Sequence, residues 1–464
     1  MTLEKINSSL KNANLPLIEY EILEAESADG HPIGGRLWTH KFSNSKNDYY
    51  DRGAMRFPDT PPMQPVMRLF RELKLENVMI PYIPTIDDNI NFFNNNIKTN
   101  TQVAAAADMG EFDPFRTWTR GLTGTAKDMY YAQIGPFRKA LVENFEKGWR
   151  MLMKYDAYST RGFMTIKGSD GVGTYSTKVV DYLETFGAGS GMYDQALSEA
   201  VLQSLDFDYP DDVNWWTIQG GSAVIAEAMA KNIDTTRIHN GKRVTGLWPA
   251  IKWTFPLGTG VISLNPFPPT MPIVKGVVSS IPWGAFRMVD TSWCNLSWDF
   301  QTAARCLNYD PSTKVGIKFK ERWWETLDPP QKGDVSNTDR PTRVVVYPSY
   351  GIDGTDATIL VSYTWAQDAL RVGSFAGNEE KEKIMLKVIL KDLADMRGMD
   401  EDDLSELLVS YDIWPWYSYE NAVGAFAYFG PGQFSTIFTN STKPAVMGRL
   451  HFAGEATSVW NGCV

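Results

Sequence analysis

Phe452-Ala453-Gly454-Glu455-Ala456-Thr457-Ser458 is the stretch that most limits what this chain can become. An apolar strand runs into Ala-Gly-Glu and then into small hydroxylated residues, which sets one carboxylate at a strand end surrounded by small side chains. Such an edge lets a large ligand approach the backbone; the plainer alternative is an ordinary turn. A second acidic strand end stands near the other terminus. Leu17-Ile18-Glu19-Tyr20-Glu21-Ile22-Leu23-Glu24 alternates and then turns apolar, and reads as a strand ending at Glu24. In nucleotide-binding α/β domains an acid so placed takes the ribose, because one carboxylate accepts from two adjacent hydroxyls; a solvated strand-end Glu is the simpler reading.

The Gly-rich turn that accompanies such an acid about 20 residues upstream is missing, since the first glycine is Gly30. The chain opens instead with a predicted helix to about Lys11, as if it began just after that turn. The natural N-terminus is therefore expected to lie upstream, and the compartment stays open, although residues 1–20 hold no apolar core of a signal peptide.

From about Phe112 to Phe207 apolar residues recur at intervals of three and four, as in Ala140-Leu141-Val142-Glu143-Asn144-Phe145, which predicts a helical domain. Its two glycine clusters, Gly171-Val172-Gly173 and Gly187-Ala188-Gly189-Ser190-Gly191, follow no strand and read as helix connections. Strand character returns after Trp215. A helix is predicted over Ala223–Lys231, then strands at Arg243–Leu247, Val274–Ser279, Lys314–Phe319, Arg343–Tyr347 and Thr358–Tyr363, and a charged helix from Glu379 to Arg397. Asp400-Glu401-Asp402-Asp403 reads as a solvated helix start.

Composition removes several classes of function. A net charge of -10 argues against nucleic acid or an anionic membrane as the main partner. His31, His40, His239 and His451 form no pair at metal-ligand spacing, and Cys294, Cys306 and Cys463 make neither a CxxC pair nor a disulfide framework. No apolar run is long enough to span a bilayer. The length of 464 residues suits two or three domains, and 16 Trp with 20 Tyr suit aromatic-lined pockets.

Several motifs in order resemble the flavin-dependent amine oxidases, and within them the fungal-type L-amino acid oxidases. They are Ile22-Leu23-Glu24-Ala25, Gly34-Gly35-Arg36, Gly53-Ala54-Met55-Arg56-Phe57-Pro58, Gln219-Gly220-Gly221-Ser222, Lys314 in its strand, Tyr347-Pro348, Gly424-Ala425-Phe426, Phe429-Gly430-Pro431-Gly432 and Phe452-Ala453-Gly454-Glu455. The resemblance implies a mixed α/β fold with FAD bound across a discontinuous Rossmann-like domain (residues 1–54, 208–305 and 435–464) whose first strand is missing. It further implies a substrate domain with a mixed sheet (55–111 and 306–434) and a helical domain (112–207).

By the same resemblance Glu24 and Ala25 would meet the adenosine ribose, Arg36 the pyrophosphate and the Val244 backbone the adenine. Gly53, Ala54, Met55, Arg56, Gly454 and Glu455 would line the rest of the cofactor, with Glu455 accepting from the ribityl chain and Trp416 against the flavin ring. Arg56 and Tyr347 would grip a substrate carboxylate, and Phe426 and Gly462 would stand beside the substrate. Arg56 suits that task because a guanidinium holds a carboxylate at two points; a structural ion pair is its alternative. Lys314 would hold a water and assist reoxidation by O2, although Lys314, Lys318 and Lys320 also fit the alternation of a solvated strand face.

The activity implied is oxidative deamination of an L-amino acid to a 2-oxo acid, with ammonia and hydrogen peroxide, and a homodimer is a further expectation. Against the family pattern the sequence also stops at Trp460-Asn461-Gly462-Cys463-Val464, where a further helix is expected. Two other readings stay open: a non-catalytic relative that binds small molecules, and a monooxygenase turning an amino acid into an amide.

Overall fold

The computed structural model describes residues 1–27, 33–105, 112–113, 117–187, 189–207, 209, 213–248 and 274–461. Its centre is a mixed sheet of seven strands, in the order Leu408–Pro415, Ser312–Phe319, Thr358–Trp365, Val344–Val346, Val335–Thr338, Ile90–Phe93 and Asn96–Thr99. Neighbours run antiparallel except Val335–Thr338 with Ile90–Phe93, which are parallel. Thr358-Ile359-Leu360-Val361-Ser362-Tyr363-Thr364-Trp365 is rich in branched and aromatic residues, the side chains that pack well on a pleated surface.

The period of two along Ser312–Phe319 divides the molecule. Val315, Ile317 and Phe319 face the helix Glu379–Arg397 and pack with Ile389 and Leu393, all at most 1% exposed. Each such burial stabilises the fold by about 1.5–3 kcal/mol. Lys314, Gly316 and Lys318 face the other way, where Tyr50 lies so close that a Cβ on Gly316 would come within 2.4 Å of its ring. The helix is set at both ends by its sequence. The Asn378 side chain accepts from Lys381 N at 3.1 Å, three acids occupy the first turn, and Gly398 ends it in the left-handed region.

The helical region contains Ala126–Glu143, Phe145–Leu152, Thr177–Gly187 and Leu197–Phe207. Ile134, Phe137, Leu197 and Val201 join Trp283, Phe300, Phe429 and Phe434 in one core, so these helices, except Thr177–Gly187, pack directly on segments that follow residue 282. Gly171–Ser176 leads into the helix Thr177–Gly187 and is a helix connection, as its lack of a preceding strand requires. Ala188 lies outside the described residues.

Two short parallel pairs carry the acidic strand ends: Ile22–Leu23 with Ile238–His239, and Val277–Ser279 with Leu450–Phe452. Here the structure corrects the sequence reading. The expected strand to Glu24 contracts to two residues, and Arg243–Leu247 is no strand, holding one isolated bridge from Gly246 to Asp290. An apolar alternation forms a strand only where a neighbour supplies a ladder. Asp400 accepts from Asp402 N and caps Glu401–Glu406, as its composition indicates. Among the described residues no helix is long and apolar enough to cross a membrane.

Candidate active site

Glu24 follows the strand Ile22–Leu23, with its N–H on His239 O at 2.9 Å. Its carbonyl accepts from Lys242 N at 2.7 Å, which draws the segment carrying Val244 alongside, and its Oε1 accepts from Glu26 N at 3.1 Å. Ala25, half-buried, lies between these contacts. Glu26 Oε1 in turn accepts from Tyr419 Oη at 2.5 Å and Asn421 Nδ2 at 2.6 Å. Three segments far apart in sequence, those of Glu24, Lys242 and Tyr419, are thus held together.

At the other acidic strand end Gly454 precedes Glu455, and the Ala453 N–H donates to Ser279 O at 2.9 Å. Glu455 Oε1 accepts from Arg36 Nη1 at 2.9 Å and from Tyr309 Oη at 3.0 Å, and both carboxylate oxygens accept from Ala427 N. Arg36 Nη1 also donates to Ala425 O at 2.8 Å. Burial works against the Arg36 charge, but Glu455 and Tyr309 outweigh it and raise the guanidinium above its ordinary value. Ala54 N and Gly53 N donate to Arg36 O and Trp38 O, which lays Gly53-Ala54-Met55-Arg56 along the Arg36 segment. Only glycine fits at 53, where a Cβ would stand 1.6 Å from Arg36 O.

Trp416, 2% exposed, donates its indole N–H to Arg52 O at 2.8 Å. The Arg52 guanidinium lies against both Trp38 and Trp414, at 4.6 and 4.1 Å from their ring centroids, and is paired with Asp412. This aromatic block anchors the residue expected beside the flavin ring.

Lys314 is 2% exposed, which removes the reading of a solvated strand face. Its Nζ donates to Gly53 O at 2.6 Å and Asp51 O at 2.9 Å, and lies 4.5 Å from the Tyr363 ring. Burial lowers its pKa to about 7; Asp51 opposes the shift and Arg56 adds to it. Lys318 is neutralised separately by Asp48. The Asp51 carboxylate, raised by burial, accepts from Thr39 Oγ1 at 2.6 Å and Ser222 N at 2.8 Å. Gln219-Gly220-Gly221-Ser222 is therefore the anchor of the segment that holds Lys314.

Arg56 stands over Trp215 and Tyr82, at 5.8 and 5.9 Å, and lines a cavity of about 160 Å³ with Phe93, Phe186, Tyr363, Trp365 and Arg343. Met55 packs in the adjoining cluster with Tyr50 and Tyr363. Tyr347 does not join Arg56. Its hydroxyl accepts from Arg397 and donates to Ser336 Oγ at 3.3 Å, in the layer beneath the helix Glu379–Arg397, while its neighbour Val346 lines the cavity. Phe426, half-buried opposite Asp310, is likewise not among the lining residues. Gly462 lies outside the described residues.

Sequence reasoning missed Asp51, Tyr309, Tyr363 and Arg343. Tyr363 is the direct cross-strand partner of Lys314, a relation set by register. Chemically, the set comprises a carboxylate at each of two parallel-strand ends, a buried guanidinium between motifs, and a lysine and arginine beside an aromatic cavity. The first group suits the hydroxyls and phosphates of a dinucleotide, and the second an anionic substrate. Among the described residues no group of three or more His, Cys, Asp or Glu is placed to hold a metal.

The chain is similar to known proteins along nearly its whole length. The sequence profile of the family described as flavin containing amine oxidoreductase matches residues 9–464. A Dictyostelium discoideum protein provisionally named a bifunctional amine oxidase is 35% identical over 96% of this chain; the chain spans 42% of that relative's length. L-amino-acid oxidase 4 of Hebeloma cylindrosporum is also 35% identical, over 95% of this chain and 75% of its own length. Among solved structures a putrescine oxidase variant superposes with a TM-score of 0.67 at 15% identity, covering 98% of this chain and 90% of the other, which is a likeness of fold.

Proposed function

Given that the chain belongs to the flavin-containing amine oxidoreductase family, with FAD as its cofactor, we propose that it oxidatively deaminates L-amino acids. The observation that carries this is Arg56, whose guanidinium opens onto an aromatic-lined cavity beside the buried Lys314. An α-carboxylate gives such a fork a two-point handle that fixes both distance and orientation of Cα, whereas a plain amine offers it nothing. The relatedness to an L-amino-acid oxidase supports the same substrate class.

Bound FAD supplies the two-electron acceptor, with dioxygen taking the electrons on as hydrogen peroxide. The substrate gives up the Cα hydrogen with its electron pair and one amine proton, and the resulting imino acid is hydrolysed to a 2-oxo acid and ammonia. Glu24, Arg36 and Glu455 would hold the cofactor's hydroxyl and phosphate groups, and Ala25, Val244, Gly454 and Trp416 would line it. Arg56 orients the substrate. Lys314, when neutral, uses both N–H groups on Asp51 O and Gly53 O, so its lone pair is left to accept a proton.

The test is the product. The FAD-loaded chain incubated with L-amino acids in air is predicted to form 2-oxo acid, ammonia and peroxide, and Arg56→Ala to lose that activity while keeping the flavin spectrum. An amide product would identify a monooxygenase instead, and no turnover with flavin bound would contradict the proposal.

A further inference from the structure

The Tyr309 hydroxyl joins the two strand ends of the parallel pair Val277–Ser279 and Leu450–Phe452. Beyond the first strand, the Trp283 N–H donates to Tyr309 Oη at 2.9 Å; beyond the second, Glu455 Oε1 accepts from that hydroxyl at 3.0 Å. The direction of both bonds is forced. A backbone N–H can only donate, so the hydroxyl accepts from Trp283 and its single proton goes to the carboxylate. Trp283 is the first residue of the short helix Trp283–Phe286, where a backbone N–H has no partner within the helix. Burial and the Glu455 charge raise the pKa of Tyr309 against the opposing effect of Arg36, which keeps that proton in place.

The donors around Glu455 are unequally divided between its oxygens. Oε1 takes Arg36 Nη1 at 2.9 Å, Tyr309 Oη at 3.0 Å and Ala427 N at 3.2 Å. Among the described residues Oε2 takes only the same Ala427 N–H, at 3.1 Å. A carboxylate oxygen offers about two lone pairs, so Oε1 is filled and Oε2 keeps acceptor capacity. Tyr309 is itself fixed. Its strand, Asn308–Asp310, pairs antiparallel with Phe426–Tyr428 and sets Tyr309 opposite Ala427. Gly424, at φ +125°, leaves the room it needs, since a Cβ there would stand 2.6 Å from Tyr309 Cβ.

Resting on the reading that Glu455 accepts from the ribityl chain of FAD, we propose that Tyr309 is a positioning residue for that chain. With Arg36 it occupies Oε1, and so fixes the carboxylate with Oε2 offered to a flavin hydroxyl. Without the hydroxyl, Oε1 keeps Arg36 and a shared N–H alone, and the carboxylate is free to turn both oxygens toward the guanidinium.

The test is binding of three probes to the purified chain freed of flavin: riboflavin, which carries ring and ribityl chain, lumiflavin, which carries the ring alone, and ADP, which carries neither. Flavin fluorescence quenching reads the first two and isothermal titration the third. The wild-type chain is expected to bind riboflavin about tenfold or more tighter than lumiflavin. Tyr309→Phe is expected to narrow that ratio to about threefold or less, with lumiflavin and ADP each held within about twofold of wild type. If Tyr309→Phe fails to fold, Gly424→Ala, whose methyl group displaces Tyr309, is expected to narrow the ratio in the same direction. An unchanged ratio, or an equal loss for all three probes as a purely structural role would give, overturns the inference and leaves Glu455 as the ribityl acceptor. A wild-type ratio near one, or no binding of either flavin, removes that reading of Glu455 and the inference with it.

Discussion

The Arg36 guanidinium and the Glu455 carboxylate meet at 2.9 Å, joining motifs near the two ends of the chain. The Glu455 side chain is 2% exposed and that of Arg36 14%, so the pair is removed from most of the water that would screen it. Breaking a buried pair from one side leaves the other charge without compensation. Glu455→Ala should therefore cost about 3–5 kcal/mol in urea denaturation. Glu455→Gln should cost less, because its oxygen still accepts from Tyr309 Oη and Ala427 N. Equal losses for the two variants would show that charge rather than acceptor capacity dominates.

Gly316 sits where Tyr50 leaves no room for a side chain. Gly316→Ala should destabilise by about 1–3 kcal/mol through overpacking. It should also disturb Lys314 two residues away on the same face, read as a slower return of the flavin spectrum in air. A neutral outcome in both would mean that the Tyr50 ring moves freely.

Lys314 carries the pH dependence. Its folded pKa of about 7 lies below the ordinary lysine value of 10.5, so between those pH values the unfolded chain binds more protons than the folded one. Stability contributed at this site rises as pH is raised through that window and is absent below it. Lys314→Met should flatten that part of the stability profile and slow flavin reoxidation by about 100-fold or more. Anaerobic reduction by substrate should be less affected. A variant that reoxidises at the wild-type rate would reduce Lys314 to a packing residue.

The buried Asp51 carboxylate ties Thr39 and Ser222 to the strand that presents Gly53 and Lys314's acceptors. Ser222→Ala leaves the backbone N–H in place and should cost only about 0.5–1.5 kcal/mol. Asp51→Ala should cost more, with the Thr39 hydroxyl, the Ser222 hydroxyl and the Ser222 N–H all losing their acceptor, and thermal denaturation of the two variants checks the order.

Elements with complete local signals were legible in the sequence. The helix Glu379–Arg397 begins at an Asn cap and ends at a glycine, and both boundaries follow from those residues. The strands around Lys314, Thr358 and Val344 carry enough branched residues to declare themselves. What was not legible depends on partners in space. Tyr347 and Val346 differ by one position, yet strand parity sends the tyrosine to Arg397 and the valine to the cavity. Arg243–Leu247 has strand-like residues and only a single bridge to Asp290. Arg343 gave no signal, because its place in the cavity is fixed by contacts with Thr185 and Asp368 on separate helices.

The central claim is that Arg56 selects amino acids over amines, and the most direct measurement is anaerobic reduction of the FAD-loaded chain by matched pairs. L-glutamate is set against 4-aminobutyrate and L-phenylalanine against 2-phenylethylamine, each amine lacking only the α-carboxylate. The account predicts that the flavin absorbance bleaches with the amino acid of at least one pair and not with its amine, and that Arg56→Ala abolishes the difference. Bleaching by the amines as fast as by the amino acids would contradict it.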